Sequence, residues 1–250
     1  MTVVNAPLAD RIAVVTGASS GIGAATARRL AADGARVALL ARRVDRIKEL
    51  AAEISGLAVE ADVRLQDSVL AAARTVRGEL GRPDLVVANA GVMLPAPFDT
   101  SDTAEWDQMI STNVNGLLYT SRAFADDLLA AAAEGRTADL VHVSSIGAHV
   151  VFANYGVYGA TKAAVSHLSR ILRAEFGPRG LRVHNLEPGL VTTELGDTME
   201  DRGQFEALAE WRERNQSLPA TDIADIIAFS TALPRRVNIA DLVVLPTVQG

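Results

Sequence analysis

Cysteine is absent from the 250-residue sequence, which excludes disulfide bonds, thiolate catalysis and cysteine-ligated metal sites. The four histidines do not have the spacing of metal ligands, so we expect no bound metal. The formal net charge is −6, and the basic residues are scattered along the chain. Because nucleic acids and anionic membranes need clustered positive charge, the composition favours a soluble enzyme or binding protein without such partners.

Long apolar runs are missing as well. No stretch approaches the roughly 20 apolar residues that cross a bilayer, and residues 1–10 lack a basic segment followed by an apolar run. We therefore expect a cytoplasmic protein without a membrane partner. The chain also lacks internal repeats and low-complexity tracts. Its 250 residues fit one α/β domain with a single large core, so we predict one domain over 1–250.

Short apolar segments alternate with longer, often alanine-rich segments along the chain. This alternation predicts a doubly wound α/β fold, in which a parallel sheet carries helices on both faces. The predicted strands cover residues 11–16, 35–41, 57–61, 84–88, 140–143, 180–186 and 240–246. Because such sheets bind ligands at the carboxyl ends of their strands, the residues that follow the strands form the candidate site.

A glycine-rich turn follows the first predicted strand and leads into a strong helix former. Its glycines let the backbone turn tightly and approach a pyrophosphate, whose charge is met by free N–H groups and the positive helix end. A plain turn is the alternative, but a strand before it and a helix after it favour a phosphate site. The predicted cofactor contacts here are Gly17, Ser19, Ser20, Gly21, Ile22 and Gly23.

Two arginines follow the second predicted strand. In dinucleotide-binding folds an acid at this position binds the adenosine ribose, whereas arginine accommodates a 2′-phosphate. Ala41 occupies the place of the acid, so Arg42 and Arg43 predict NADP(H). The alternative is that they are only solvated charges at a helix start. Asp62 and Val63 close the third strand where an adenine edge would lie, and Asp62 is a candidate acceptor for the adenine amino group.

Three small residues, Asn89, Ala90 and Gly91, follow the fourth predicted strand, at the point where a cofactor passes over the sheet edge. Asn89 has the equal alternative of capping backbone groups. Asn113 lies among apolar residues in a helix predicted over about 103–133. It either bonds to neighbouring backbone or opens the helix and holds a water.

A helix predicted over about 156–176 places Tyr158 and Lys162 one turn apart on the same face. A phenol titrates near pH ~10, and an ammonium one turn away lowers that pKa. Ser145 ends the preceding strand, where its hydroxyl can hold a carbonyl oxygen beside the phenol. The spacing alone also fits an ordinary surface pair, so this prediction depends on the rest of the chain.

The residues that follow the sixth predicted strand belong to the same sheet edge. The candidates among them are Pro188, Gly189, Val191 and Thr193. The backbone at Val191 and the Thr193 hydroxyl are candidates for binding the nicotinamide amide. Residues 194–218 then carry many charged side chains around a few large apolar ones. We predict that this lid segment covers the cleft with its polar side outward and its apolar side inward.

These motifs together resemble those of the short-chain dehydrogenase/reductases over nearly the whole chain. They are Thr16-Gly17-(x3)-Gly21-Ile22-Gly23, Asn89-Ala90-Gly91, Asn113, Ser145, Tyr158-(x3)-Lys162 and Pro188-Gly189, in this order. The resemblance implies a Rossmann-type sheet of seven parallel strands in the order 3-2-1-4-5-6-7, and a homodimer or homotetramer. It further implies Tyr158 as general acid/base, Lys162 as its pKa-lowering partner and ribose contact, Ser145 as carbonyl anchor and Asn113 as holder of a relay water.

Two positions depart from the family pattern. Ala88 stands where the family often has asparagine, and Ser20 lacks the basic side chain that some NADP-using relatives place in the glycine turn. The segments 41–43, 187–189 and 245–247 look similar to NADP-dependent reductases related to clavulanate (clavaldehyde) dehydrogenase. The sequence thus predicts an oxidoreductase that moves a hydride between NADP(H) and a carbonyl or alcohol. The alternatives are a non-catalytic NADP-binding sensor or scaffold, and epimerisation or dehydration on the same fold.

Overall fold

The computed structural model describes residues 6–197, 199, 201–214 and 216–249. Within these residues, strands and helices alternate as the sequence predicts. The strands are β1 (Ile12–Thr16), β2 (Arg36–Ala41), β3 (Leu57–Glu60), β4 (Leu85–Ala88), β5 (Asp139–Val143), β6 (Arg182–Pro188), β7 (Val191–Thr192), β8 (Leu218–Pro219) and β9 (Asp241–Val244). The helices are α1 (Gly21–Ala32), α2 (Val44–Ile54), α3 (Gln66–Glu79), α4 (Thr103–Met109), α5 (Gly116–Ala133), α6 (Gly156–Phe176), α7 (Arg202–Arg214) and α8 (Ala220–Ala232).

Seven parallel strands form the central sheet in the order β3-β2-β1-β4-β5-β6-β9. This order confirms the expected one, since β9 is the last of the seven strands predicted from the sequence. The central strands β1 and β4 are buried along their whole length, which explains their near-continuous apolar sequences. One apolar layer, which includes Leu39 and Ile227, covers one face of the sheet, and another, which includes Phe124 and Leu140, covers the other.

The short strands β7 and β8 form a separate parallel pair that the sequence analysis did not predict. Val191 pairs with Leu218 and Thr192 pairs with Pro219, while the Leu218 N–H donates to the Leu190 carbonyl at 2.9 Å. The two strands stand immediately before and at the end of the lid segment, which contains α7. Both ends of that segment are therefore held together at one place beside the central sheet.

The helix predicted over about 103–133 is divided. Between α4 and α5 lies one turn of π-helix, Ile110–Asn115. A π-turn inserts one extra residue per turn and is frequent at functional sites. Asn113, the polar residue that the sequence places inside this apolar helix, belongs to the π-turn and is 1% exposed. The π-turn therefore lies at the position where the sequence left two roles open for Asn113, bonding to backbone or opening the helix to hold a water.

Buried charges tie the amino ends of the central strands together. Arg11 Nη2 lies 2.8 Å from Asp139 Oδ2, Arg182 Nε lies 2.6 Å from Asp139 Oδ1, and Arg11 Nε lies 2.7 Å from Asp84 Oδ1. His184 Nε2 also contacts Asp139 at 2.8 Å. Burial opposes ionisation of Asp139, but these partners lower its pKa to about 2. This cluster lies at the sheet edge opposite the predicted site.

No helix in the described ranges is both long and apolar enough to cross a bilayer. The same part of the chain holds no cluster of three or more histidine, aspartate or glutamate side chains that could bind a metal ion.

Candidate active site

A cavity of about 660 Å³ lies at the carboxyl ends of β1, β4, β5 and β6. Two predicted site residues, Gly23 and Asn113, do not line it. The predicted residues that line it are Gly17, Ser19, Ser20, Gly21, Ile22, Arg42, Arg43, Asp62, Val63, Asn89, Ala90, Gly91, Ser145, Tyr158, Lys162, Pro188, Gly189, Val191 and Thr193. Residues that the sequence spreads from 17 to 193 therefore meet around one cleft.

The glycine turn requires glycine for two different reasons. Gly17 and Gly21 have φ values of 66° and 53°, in the left-handed region that side chains disfavour. Gly23 instead lies behind the turn, where an added Cβ would come within 2.4 Å of the Gly17 oxygen and 2.6 Å of Asn89 Nδ2. Gly23 therefore permits close packing of α1 on the sheet rather than lining the cavity.

Asn89 has the structural role that the sequence analysis left open. Its Nδ2 donates to the Thr16 carbonyl at 2.9 Å, and its N–H donates to Thr16 Oγ1 at 3.0 Å. The Ala90 N–H donates to the same hydroxyl at 3.1 Å. Thr16 thus fixes the end of β4 against the end of β1, and its role as a supporting residue was not predicted.

A cluster of arginines stands at one end of the cavity. Arg43 donates to Ser19 Oγ at 3.0 Å and to Ser20 Oγ at 2.6 Å. Its Nη1 also lies 2.7 Å from Glu194 Oε2, and Arg46 Nη1 lies 2.7 Å from Glu194 Oε1. The two arginines lower the pKa of Glu194 by hydrogen bonding and charge. Arg46 and Glu194 line the cavity as well, and neither was predicted.

Asp62 already has a partner in the protein. Its two carboxylate oxygens accept from the side chain of Arg64, with the shortest contact at 2.6 Å from Nη2 to Oδ2. Oδ1 also accepts from the Arg64 N–H at 3.0 Å. Hydrogen bonds from Arg64 lower the pKa of Asp62, and the nearby charge of Arg42 adds to this effect. An adenine amino group would therefore meet a carboxylate that is ionised and held in place.

Tyr158 and Lys162 are buried, each 6% exposed, which excludes the surface pair that their spacing also allowed. Lys162 Nζ donates to the Val143 carbonyl at 3.0 Å and lies 5.7 Å from the centre of the Tyr158 ring. Ser145 begins the short 3-10 turn Ile146–Ala148 after β5, and its Oγ accepts from the Gly147 N–H at 3.1 Å. The three predicted side chains therefore converge on one wall of the cavity.

The acidities of this group differ from the expectation. Burial raises the pKa of Tyr158 to about 12, and a hydrogen bond with Ser145 offsets only part of that effect. Burial also lowers the pKa of Lys162 to about 8. Among the described groups, Lys162 does not lower the pKa of Tyr158 as the sequence predicted. Desolvation of the phenol has the largest effect on that pKa. The Lys162 ammonium donates instead to the Val143 carbonyl. At neutral pH the phenol keeps its proton.

Asn113 supports the cavity wall from behind. Its Oδ1 accepts from the Val92 N–H at 2.8 Å, and its Nδ2 donates to the Val92 carbonyl at 2.9 Å and to Thr161 Oγ1 at 3.1 Å. A Cβ added to Gly91 would lie 3.3 Å from Asn113 Oδ1 and 3.6 Å from Lys162 Nζ. Asn113 therefore joins the loop after β4 to α6, close to Lys162. Its water-holding role stays a prediction.

A buried polar chain behind Ser145 was missed by the sequence analysis. Glu187 accepts from Ser166 Oγ at 2.7 Å and from His149 Nε2 at 2.8 Å. Ser166 meets Ser144 Oγ at 2.8 Å, and Ser144 donates to the Lys162 carbonyl at 2.9 Å. Glu187 directly follows the predicted strand 180–186, and an acidic residue at this sheet edge was the signal available in the sequence. This series of hydrogen bonds connects Glu187 in β6 to the Lys162 carbonyl in α6 and holds the helix in place at Lys162.

Aromatic side chains and the lid segment form the other end of the cavity. The rings of Phe152 and Trp211 lie 5.3 Å apart, and those of Tyr155 and Tyr158 lie 6.4 Å apart. The predicted polarity of the lid segment is not strict, because the charged residues Asp197 and Arg212 both line the cavity, Arg212 beside Trp211. The apolar end therefore contains one cation.

Known proteins resemble the chain along nearly its whole length. A model of the short chain dehydrogenase family matches residues 11–203. An uncharacterised oxidoreductase of Staphylococcus aureus (strain MRSA252) is 32% identical over 242 residues, which cover 96% of this chain and 98% of that protein. A probable NADP-dependent dehydrogenase of Haemophilus influenzae is 33% identical over 241 residues, which cover 95% and 94%.

Solved structures agree with the sequence relatives. An alcohol dehydrogenase from the archaeon Thermococcus sibiricus, complexed with 5-hydroxy-NADP, superposes with a TM-score of 0.84 at 30% identity, covering 96% of this chain and 98% of that one. The narrower similarity to reductases related to clavulanate dehydrogenase stays a prediction.

Proposed function

The chain belongs to the short-chain dehydrogenase family, and we propose that it transfers a hydride between NADP(H) and a ketone, aldehyde or alcohol. One observation carries the proposal. A single cavity joins the glycine turn and the arginine cluster to Ser145, Tyr158 and Lys162. Hydride transfer requires a dinucleotide and a carbonyl compound to meet in one cleft, and this cavity brings together groups suited to each.

The residues of the cavity fit NADP(H). The backbone around Gly17 and Gly21 and the amino end of α1 would hold the pyrophosphate, because the first N–H groups of a helix lack partners within it. Arg42 and Arg43, joined by Arg46, would take the 2′-phosphate. Two of the resembling proteins carry NADP in their descriptions, which supports the same choice here.

The side chains supply the proton chemistry. Bound NADPH would supply the hydride. Because burial raises the pKa of Tyr158 to about 12, the phenol is protonated at neutral pH and can donate to a carbonyl oxygen, as reduction requires. The Ser145 hydroxyl would hydrogen-bond to that oxygen and hold it beside the phenol. Lys162, charged below a pKa of about 8, would bind the ribose of the nucleotide, the second role that the family resemblance implies for it.

The proposal is tested by Y158F. Loss of the phenolic proton should lower turnover by roughly 10²- to 10⁴-fold, the usual contribution of general acid catalysis, while the Kd for NADPH changes less than about twofold. NADPH oxidation is followed with a panel of ketones and aldehydes, and Y119F, outside the cavity, is the matched control. Undiminished turnover in Y158F would refute the assigned role.

The same assay separates the alternatives. A sensor or scaffold would bind NADPH without oxidising it against any carbonyl compound, and an epimerase or dehydratase would leave the total NADPH unchanged. R42A combined with R43A should raise the Kd for NADPH much more than the Kd for NADH, which lacks the 2′-phosphate. Equal effects on both nucleotides would show that the arginines do not bind that phosphate. A cytoplasmic location and a homodimer or homotetramer stay predictions.

A further inference from the structure

One cation in the cavity has no part in the proposed hydride transfer. Arg212 lies in the last turn of α7 and lines the cavity. Its Nη2 donates to the Leu195 carbonyl at 2.7 Å, which fixes the guanidinium group within the lid segment. Its Nε is buried and has no hydrogen-bond partner among the residues that the structure describes. A buried N–H of a charged group is costly to leave unbonded, so this atom marks a place for an acceptor.

The described protein groups do not balance the charge of Arg212. Asp197 and Tyr155 are the titratable groups whose charges act on it. Burial lowers the pKa of Arg212, and the opposite effects of that carboxylate and that phenol are smaller. Asp197 is itself exposed to solvent. A guanidinium group that is desolvated more than it is compensated favours an incoming anion.

Aromatic rings connect this cation to the proposed chemistry. Tyr155 packs edge-on against Tyr158, with ring centres 6.4 Å apart, and Arg212 acts electrostatically on the Tyr155 phenol. Phe152 and Trp211 pack against each other on the same part of the wall. A molecule whose carbonyl group lies at Tyr158 would therefore pass an aromatic surface before it reaches the guanidinium group.

We propose that Arg212 binds an anionic oxygen group of the substrate, a carboxylate or a phosphate, while the apolar part of the substrate packs against Phe152 and Trp211. The inference rests on the proposed function and narrows its substrates to carbonyl compounds that carry an acidic group. A hydride adds to the carbonyl carbon and a proton to its oxygen, and the acidic group is unchanged. The product is the matching acidic alcohol.

The kinetic test compares aromatic ketones that carry a carboxylate, the neutral methyl ester of that carboxylate, or a phosphate. The wild-type kcat/KM should be at least tenfold higher for the preferred anionic ketone than for the ester, mainly because KM is lower. Comparing kcat/KM for the carboxylate ketone and the phosphate ketone shows which of the two acidic groups the site prefers. R212M should lose the preference and R212K should restore part of it. R214M, an exposed change on the same helix, should keep it. Equal kcat/KM for acid and ester in the wild type would overturn the inference alone.

A binding test does not depend on turnover. Calorimetry with NADP⁺ present and an unreactive aromatic carboxylate or phosphate should give a Kd at least tenfold lower for the wild type than for R212M. The Kd for NADPH should differ less than twofold between them. Equal anion affinity, or an equal loss of NADPH affinity, would overturn the inference. If no carbonyl compound is reduced, the proposed function fails, while calorimetry still decides whether Arg212 binds anions.

Discussion

Glu194 occupies the arginines that the proposed 2′-phosphate needs, so E194Q should tighten the binding of NADPH. The carboxylate lies 2.7 Å from both Arg43 and Arg46, and the three side chains are 45%, 49% and 43% exposed for Arg43, Arg46 and Glu194. Ion pairs this exposed contribute about 0.2–1 kcal/mol each because water and salt screen them. When the 2′-phosphate displaces the Glu194 carboxylate, the ion pairs of Glu194 with Arg43 and Arg46 are both lost. This loss costs about 1 kcal/mol, which corresponds to a roughly fivefold higher Kd for NADPH in the wild type.

The measurement is equilibrium titration of NADPH and NADH into the wild type and E194Q. NADPH should bind roughly fivefold more tightly to the variant, NADH should bind nearly equally to both, and high salt should shrink the difference. D126N removes a comparable exposed pair with Arg122 far along the chain and should leave both affinities unchanged. Weaker NADPH binding to E194Q would show that Glu194 orients the arginines instead of competing for them.

Two further predictions concern buried charge. D139N should lower the free energy of unfolding in urea by about 3–5 kcal/mol, because it leaves buried guanidinium groups without their counter-charge, whereas exposed D126N should change it by less than about 0.5 kcal/mol. Since the folded pKa of Asp139 is depressed from 3.8 to about 2, its ionisation stabilises the wild type above about pH 4, and this contribution of about 2 kcal/mol should be lost as pH falls toward 2. An unfolding curve without this decline would contradict the assignment. The kcat/KM for carbonyl reduction should fall above about pH 8 as Lys162 loses its proton, and K162R should move the fall to higher pH if Lys162 causes it.

Local patterns predicted the parts of the fold that depend on neighbouring residues. The seven central strands follow from short apolar segments, and the turn before α1 follows from its glycines, because each signal lies within a few residues. The pair β7 and β8 was missed because each strand has two residues and exists only through pairing across the lid segment. The sequence of either strand alone does not show which distant residues it pairs with.

Site residues that belong to a local sequence motif were predicted. Site residues that are placed by contacts with distant parts of the chain were missed. Glu194 meets Arg46 across 148 positions, and no local spacing connects them. The helical pattern of the lid segment gave the apolar side correctly but not the direction of Arg212, whose long side chain reaches the cavity from the border between the two sides. The acidity of Tyr158 also depended on burial, which spacing does not measure.

The pairing of β7 with β8 also separates two parts of the molecule that can change independently. A segment that leaves and rejoins the body of the protein at adjacent backbone positions can be lengthened, shortened or exchanged without shifting the strands that carry Ser145 and the glycine turn. Grafting residues 195–217 from one relative into another should therefore transfer substrate preference, while nucleotide preference stays with the recipient because Glu194 and its contacts with Arg43 and Arg46 are not exchanged. Such modularity would let one catalytic scaffold diversify at a single insertion point.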